Sequence, residues 1–352
     1  MPRTLREPTR LSEKRAPFAG ITRNDSRRVA HGLWLPDVLA GHLRSSPVSD
    51  ESNLPIERAW PWVLRVAWFG LALTVGPLLI EAGKRYSGSV KWTILAVASL
   101  AWSAGFLATL IPHPIGLVTV RCGAGGAVVW ATGAAIALYP ADARVDAHVT
   151  VVIGVGLVWA VVVAGVMLYS ETGQWSVNGP AYPNERRFLL RPGAAVQVVI
   201  VPLSVLLLVV GVTGSLFLLA AKQWLPGIIA LAIALPFAIV VARSLYALAK
   251  RFVVFVPAGF VLHDMTALRE PVLFRRQSVE AIGAASADTD ALDLTLGAAG
   301  LAMEIRFLEK VELTVREGRK KFREGRSARF LFVPTLPGRM LGEARKRRFP
   351  ML

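Results

Sequence analysis

Residues Val196–Ala249 read VQVVIVPLSVLLLVVGVTGSLFLLAAKQWLPGIIALAIALPFAIVVARSLYALA. Two apolar runs, Val196–Ala221 and Trp224–Ala249, are separated only by Lys222 and Gln223. The first carries no charge and the second only Arg243. A helix needs about 20 residues to cross the hydrocarbon core of a bilayer, and each run is long enough. With two residues between them, the runs predict an antiparallel transmembrane hairpin.

Four more apolar runs precede the hairpin, at about Trp60–Ile80, Trp92–Ile111, Ile115–Tyr139 and Val149–Tyr169. Trp60, Trp62 and Trp92 stand at run ends, where aromatic side chains meet the headgroups. Pro112-His113-Pro114 breaks the chain between the second and third runs, and Pro140 closes the third. Of 352 residues, 54% are hydrophobic, and the mean hydropathy is positive; soluble chains of this length are more polar. The chain therefore reads as a membrane all-α bundle of six transmembrane helices over 59–250. A basic tail at 1–58 precedes it and a small β-rich domain at 251–352 follows. Six spans place both termini on one side.

The formal net charge is +16, with ten Lys/Arg in 1–58 and eighteen in 251–352. Basic segments beside a bilayer favour the cytoplasmic side and its anionic lipids. With the N-terminus inside, nine Lys/Arg flank the inner ends of the spans and five the outer ends, Lys84, Arg85 and Lys91 dissenting. The expected location is the cell (inner or plasma) membrane, with both termini cytoplasmic. The basic ends lack the aromatic-interleaved platform of a nucleic-acid binder, so no nucleic-acid partner is expected. The single cysteine, Cys122, cannot build a disulfide framework. Met1–Asp50 has no apolar stretch long enough for a cleavable leader. Its mixture of Arg, Pro and Ser predicts a mostly disordered tail, apart from Trp34, Leu35, Val38, Leu39 and Leu43, whose helical spacing suits a short surface helix.

Three arginines fall within the spans: Arg65, Arg121 and Arg243. A charge at the bilayer centre costs about 2.5–3.5 kcal/mol on the insertion scale, but each of these lies one to two turns from the cytoplasmic boundary, within snorkelling reach. They are read as boundary anchors, with a ligand or coupling role as the alternative. No Asp, Glu or Lys lies mid-span, which weakens a proton- or sodium-coupled transporter.

Gly123, Ala127, Ala131 and Ala135 make one stripe of small residues; Gly156, Ala160 and Ala164 make another. Such stripes let helix backbones approach closely, predicting that spans three and four pack on each other, or that they form a homo-oligomer interface. Pro202, Pro226 and Pro236 interrupt spans five and six and predict bends. The loop Ser170–Pro192 is polar and turn-rich, and it is expected either to cap the bundle or to touch the terminal domain.

Beyond Arg251 the period changes to two. Phe252–Val256 and Phe260–Asp264 flank a Pro257-Ala258-Gly259 turn, a hairpin signature. Val272–Arg275, Leu292–Leu296, Leu301–Phe307, Val311–Val315 and Arg329–Val333 read as further half-buried strands. A basic helix follows over Leu336–Arg348. Seven strands closed by a helix, ending in Phe330-Leu331-Phe332-Val333-Pro334-Thr335-Leu336-Pro337-Gly338-Arg339, resemble the pleckstrin-homology (PH) superfold, a β-barrel with a C-terminal helix. The chain thus resembles bacterial, in particular actinobacterial, polytopic membrane proteins that carry a PH-like domain. The resemblance covers about 100 residues by order and pattern alone, and a shared fold does not carry a function with it.

The segment Arg316–Arg329 holds Arg316, Arg319, Lys320, Lys321, Arg323, Arg326 and Arg329 against Glu317 and Glu324. Such a loop near a bilayer could bind anionic headgroups, at about 1 kcal/mol per cation, or a protein partner; otherwise it is a solvated strand connection. Catalytic constellations are missing. The five histidines are scattered without metal-ligand spacing. The glycines at Gly123–Gly126 lack the Lys-Ser/Thr of a phosphate loop, and no Gly-x-Ser-x-Gly elbow occurs. Asp288, Asp290 and Asp293 read as a turn. The expected function is therefore non-enzymatic, with no catalytic residues, metal or cofactor: a membrane scaffold, assembly or lipid-sensing factor with membrane lipid and a protein as partners. The alternative is a transporter or channel component with a cavity at spans five and six.

Overall fold

The computed structural model describes residues 54–139, 146–318 and 321–352. The surface-helix candidate at Leu35–Leu43, Pro140, Arg319 and Lys320 lie outside the described residues. Among those described, six helices are long and apolar enough to cross a membrane. These are α1 (Leu54–Gly83), α2 (Gly88–Leu110), α3 (Pro114–Leu138), α4 (Ala147–Leu168), α6 (Val201–Ala220, extended by a π turn at Val196–Ile200) and α7 (Trp224–Ala249). A short helix, α5 (Ser170–Asn178), follows α4 directly.

Local chemistry sets the helix ends. Pro114 sits in the first turn of α3, where its missing N–H costs nothing, and His113 Nδ1 accepts the Ile115 N–H at 3.1 Å. At the far end, Arg85 donates to the last carbonyls of α3, Ala137 and Leu138, at 2.9 and 3.2 Å. A cation there also suits the negative end of the helix. Pro202 has no N–H to give, and a proline ring crowds the carbonyl four residues back. The chain accommodates it with the π turn, in which Val201 N–H reaches Val196 O.

Tryptophans bind the first four helices together. Trp68 is fully buried, its indole N–H donating to Trp102 O at 2.9 Å, while Trp102 Nε1–H donates back to Trp68 O at 3.1 Å. Trp159 Nε1–H donates to Ala67 O at 3.1 Å. Lipid offers no partner for an indole N–H or a freed carbonyl, so these pairings are how the bundle buries large aromatics. The small-residue stripes serve the same end. A Cβ on Gly123 would lie 2.7 Å from the Trp68 ring, one on Gly105 only 1.8 Å, and one on Gly156 2.8 Å from Leu78. Spans three and four do touch, but the glycines of both stripes open toward α1 rather than toward each other.

The α6–α7 hairpin packs tightly along itself, with Gly211 against Ala234 and Gly227 against Leu219. Most of its outer surface is free of protein contact, as a lipid-facing hairpin requires.

The strands form two sheets. The first has the order β1 (Arg186–Leu189), β2 (Phe252–Val256), β3 (Gly259–His263), β4 (Val272–Arg275), all antiparallel. The second has the order β5 (Val279–Ala284), β7 (Met303–Arg316), β8 (Phe322–Phe332), β6 (Leu292–Asp293). Isolated bridges, Leu190 with Pro334 and Leu268 with Val315, join the sheets at two places. No closed barrel is found among the described residues. The sheets enclose an aromatic core of Phe188, Phe255, Phe260, Phe274, Phe307, Phe330, Phe332 and Phe349. Helix α8 (Pro337–Lys346) covers it with Met340 and Ala344.

Candidate functional site

Strand β1 comes from the loop between α4 and α5 on one side and α6 on the other, not from the C-terminal segment. The loop thus both caps the bundle and enters the β module. It is held on both edges. Its even-numbered residues face β2, with Leu190 N–H donating to Arg251 O at 2.9 Å. The odd-numbered residues face elsewhere. Asn178 accepts the Arg187 N–H and donates to its carbonyl, both at 3.0 Å, and Gln174 Nε2 donates to the same carbonyl. Thr335 N–H donates to Leu189 O and Arg191 N–H to Val333 O, each at 2.8 Å. The membrane hairpin α6–α7 is therefore inserted between two neighbouring strands of one sheet.

Both points where the chain passes between hairpin and sheet meet at Arg251. Its guanidinium donates to Asp264 and also to Arg191 O at 3.2 Å. Asp264 Oδ1 further accepts from Thr266 N–H at 3.0 Å and Ala267 N–H at 3.2 Å. A buried charge pair of this kind needs further hydrogen bonds around it, and here all three guanidinium nitrogens and both carboxylate oxygens have partners.

A second set of contacts ties α8 to the helices. Arg339 Nη1 donates to Glu57 Oε1 of α1 at 3.5 Å, and Nη2 to Glu171 Oε1 of α5 at 3.2 Å. Arg186 of β1 also donates to Glu57 Oε1, at 2.6 Å. Beside them, Trp60 Nε1–H donates to Thr172 Oγ1 at 3.2 Å and its ring packs against Tyr169. Arg347 adds a bond to Asn184 O at 3.0 Å. The clamp thus joins α8 to α1 and α5 through Arg339, which bridges two carboxylates, while Arg186 brings β1 to the shared Glu57. Only the types of its residues were visible in sequence, since Glu57 and Arg339 lie far apart along the chain.

The residues singled out from sequence lie elsewhere. Arg316 ends β7, and Arg323 and Arg326 lie within β8, so the basic segment is largely a β7–β8 hairpin rather than a loop; Lys321 is in its turn. The charges are partly matched: Arg326 pairs with Glu312 across the strands and Arg323 with Glu317 at 3.9 Å. Arg316 and Arg269 stand over the Phe322 ring at 5.5 and 5.6 Å. In the bundle, Arg65 stacks on Trp62 at 4.9 Å, Arg121 Nε donates to Met167 O at 3.3 Å, and Arg243 is exposed on α7. Of the acidic residues expected in a turn, Asp288 lies in one, Asp290 pairs with Arg329 at 3.0 Å, and Asp293 instead ends β6, its carboxylate accepting Thr295 N–H at 2.7 Å.

Elsewhere in the module, Glu304 is 0% exposed and bonds Arg306 at 2.6 Å; this bond holds the Arg306 guanidinium above its ordinary pKa. A cavity of about 160 Å³ lies among Val256, Pro257, Arg276, Arg347 and Phe349. Its two guanidiniums are already used, Arg276 on Arg348 O at 2.8 Å and Arg347 on Glu343 at 2.6 Å. Among the described residues no three His, Cys, Asp or Glu side chains group as metal ligands do.

Six spanning helices with a two-sheet module clamped to one end define a multi-pass membrane protein. Comparison of the chain with protein-family models, with curated proteins and with solved structures found no match.

Proposed function

We propose that the chain is a non-enzymatic membrane scaffold whose PH-like module is held against one face of the bilayer to recruit a protein partner. The observation that carries this reading is the insertion of α6–α7 between β1 and β2. A domain on a linker can search; a domain threaded by its own membrane hairpin presents a fixed surface. The β7–β8 hairpin, with Arg323 and Arg326 exposed, is the part of that surface offered to a partner. Basic residues at both ends of the chain support a cytoplasmic location for the module, in the cell membrane. The transporter reading has less support, because the buried hydroxyl of the hairpin, Ser215, is spent on Val212 O of its own helix at 2.8 Å. Photo-crosslinking groups at Arg323 and Arg326 in cells test the proposal. A discrete protein adduct, absent when the group is placed at lipid-facing Leu207, is expected; a smear or no adduct from every hairpin position overturns it.

A further inference from the structure

Residues Thr295–Ala302 read TLGAAGLA, an uncharged loop between β6 and β7. Leu296 and Leu301 stand 46% and 43% exposed, and Leu296 holds a φ of 56°. That left-handed conformation costs a leucine energy, and the residue stays half exposed, outside the module's hydrophobic core.

The backbone of this loop is fastened to the head of a span. Ala194 N–H donates to Gly297 O at 3.0 Å, and Arg191 Nη1 to Ala299 O at 3.3 Å. The Leu296 carbonyl lies so close to Gly193 that a Cβ there would be 2.5 Å from it. Gly193 O in turn accepts Gln197 N–H at 2.9 Å, so it belongs to the first turn of the helix. At about 1.5 Å per residue, Ala194 is about 3 Å from Val196, where the apolar run begins. Val198 and Val199, on that first turn, are exposed as lipid-facing residues are. The span Val196–Ala220 has 25 residues, or about 37 Å of helix, against about 30 Å of hydrocarbon. Its first turn therefore lies at the boundary of headgroups and acyl chains. Tyr246 and Lys250, stacked at 4.5 Å, mark the same level on α7.

We infer that the Thr295–Ala302 loop is a membrane-inserted anchor, with Leu296 and Leu301 dipping into the interfacial layer of the bilayer beside α6. Lipid contact gives the two leucines the apolar surroundings that the protein withholds, and Arg191 at the loop's base faces the headgroups. The inference rests on the proposed bilayer crossing of the spans.

The test uses the full chain in vesicles, on a Cys122→Ala background, with an environment-sensitive fluorophore on single cysteines at Leu296, Leu301, Arg326 or Leu207. Leu207 is a lipid-facing control on α6 and Arg326 an aqueous one. The inference expects blue-shifted emission, loss of iodide quenching and quenching by shallow nitroxide lipids at Leu296 and Leu301, and the reverse at Arg326. Iodide quenching at Leu296 and Leu301 equal to that at Arg326, while Leu207 reads lipid, overturns the anchor alone. Protection from both iodide and nitroxide lipids means that protein covers the loop, and overturns it too. If Leu207 itself fails to read lipid, the spans and the anchor fall together. On the wild-type chain, a lipid with a diazirine near the headgroup should leave adducts on 295–302 after irradiation; their absence, with adducts present on α6, contradicts the inference.

Discussion

The guanidinium of Arg251 meets the carboxylate of Asp264 through three hydrogen bonds of 3.0, 2.9 and 2.8 Å, with the two side chains 3% and 1% exposed. Arg251 sits between the end of α7 at Ala249 and the start of β2 at Phe252, and Asp264 directly follows β3. The pair fixes the angle at which the membrane helix becomes a strand. Removing one member of a buried pair leaves the other charged and unpaired, at about 3–5 kcal/mol. Asp264→Ala is expected to cost that much, and the turn at Thr266 and Ala267 loses its acceptor as well. Thermal unfolding of the detergent-solubilised protein, followed by tryptophan fluorescence, measures it.

The tryptophan exchange between α1 and α2 makes a sharper prediction about glycine. Gly105→Ala places a methyl group inside the Trp68 ring, whereas Gly154 has nothing within 4 Å of a Cβ. Gly105→Ala should lower the melting temperature strongly, because overpacking costs about 1–3 kcal/mol. Gly154→Ala should leave it unchanged. Trp68→Ala empties the same site and is expected to cost about 3–5 kcal/mol. The same unfolding assay reads all three.

Arg339 bridges Glu57 and Glu171 while 15% exposed. Hydrogen bonds between charged groups contribute about 1.5–3 kcal/mol, so Arg339→Ala should loosen α8 from α1 and α5 by that order. Arg339→Lys should not restore the clamp, because an ammonium lacks the two-pronged geometry that reaches both carboxylates. Limited proteolysis after Lys346 and Arg347, compared among the three proteins, provides the measurement.

The β7–β8 hairpin should behave in the opposite way. Arg326 and Glu312 are paired but 72% and 61% exposed, and exposed pairs contribute about 0.2–1 kcal/mol at most. Arg326→Ala is expected to leave the unfolding curve unchanged while reducing the cross-linked adduct from this face.

The six spans were legible in the sequence because a bilayer imposes length and composition on any helix that crosses it. The two-residue link at Lys222-Gln223 left no other topology for the last pair. The β module was legible in part. Leu301–Phe307 and Val311–Val315 read as two strands because β7 bulges between Arg306 and Val311, which breaks the period of two without ending the strand. Strand β5 was missed because Ala281 and Gly283 look unlike strand residues. Gly283 is small because Leu352 packs on it, so that a Cβ there would lie 2.6 Å from the Leu352 Cβ. Strand β1 gave no signal at all. Its four residues gain their partners from Phe252–Phe255, Asn178 and Thr335, none of them a sequence neighbour. For the same reason the Arg339 clamp could not be read from the chain, while the basic residues of 316–329 stood out simply because they are clustered.

The account depends above all on strand β1 being part of the module while belonging to the loop between two spans. Amide hydrogen exchange of the full-length protein in lipid nanodiscs tests this directly. Arg187, Leu190 and Arg191 donate to Asn178, Arg251 and Val333, so their amides should exchange as slowly as those of β2 and β3. Exchange at the rate of an open loop, with β2 and β3 still protected, would contradict the account.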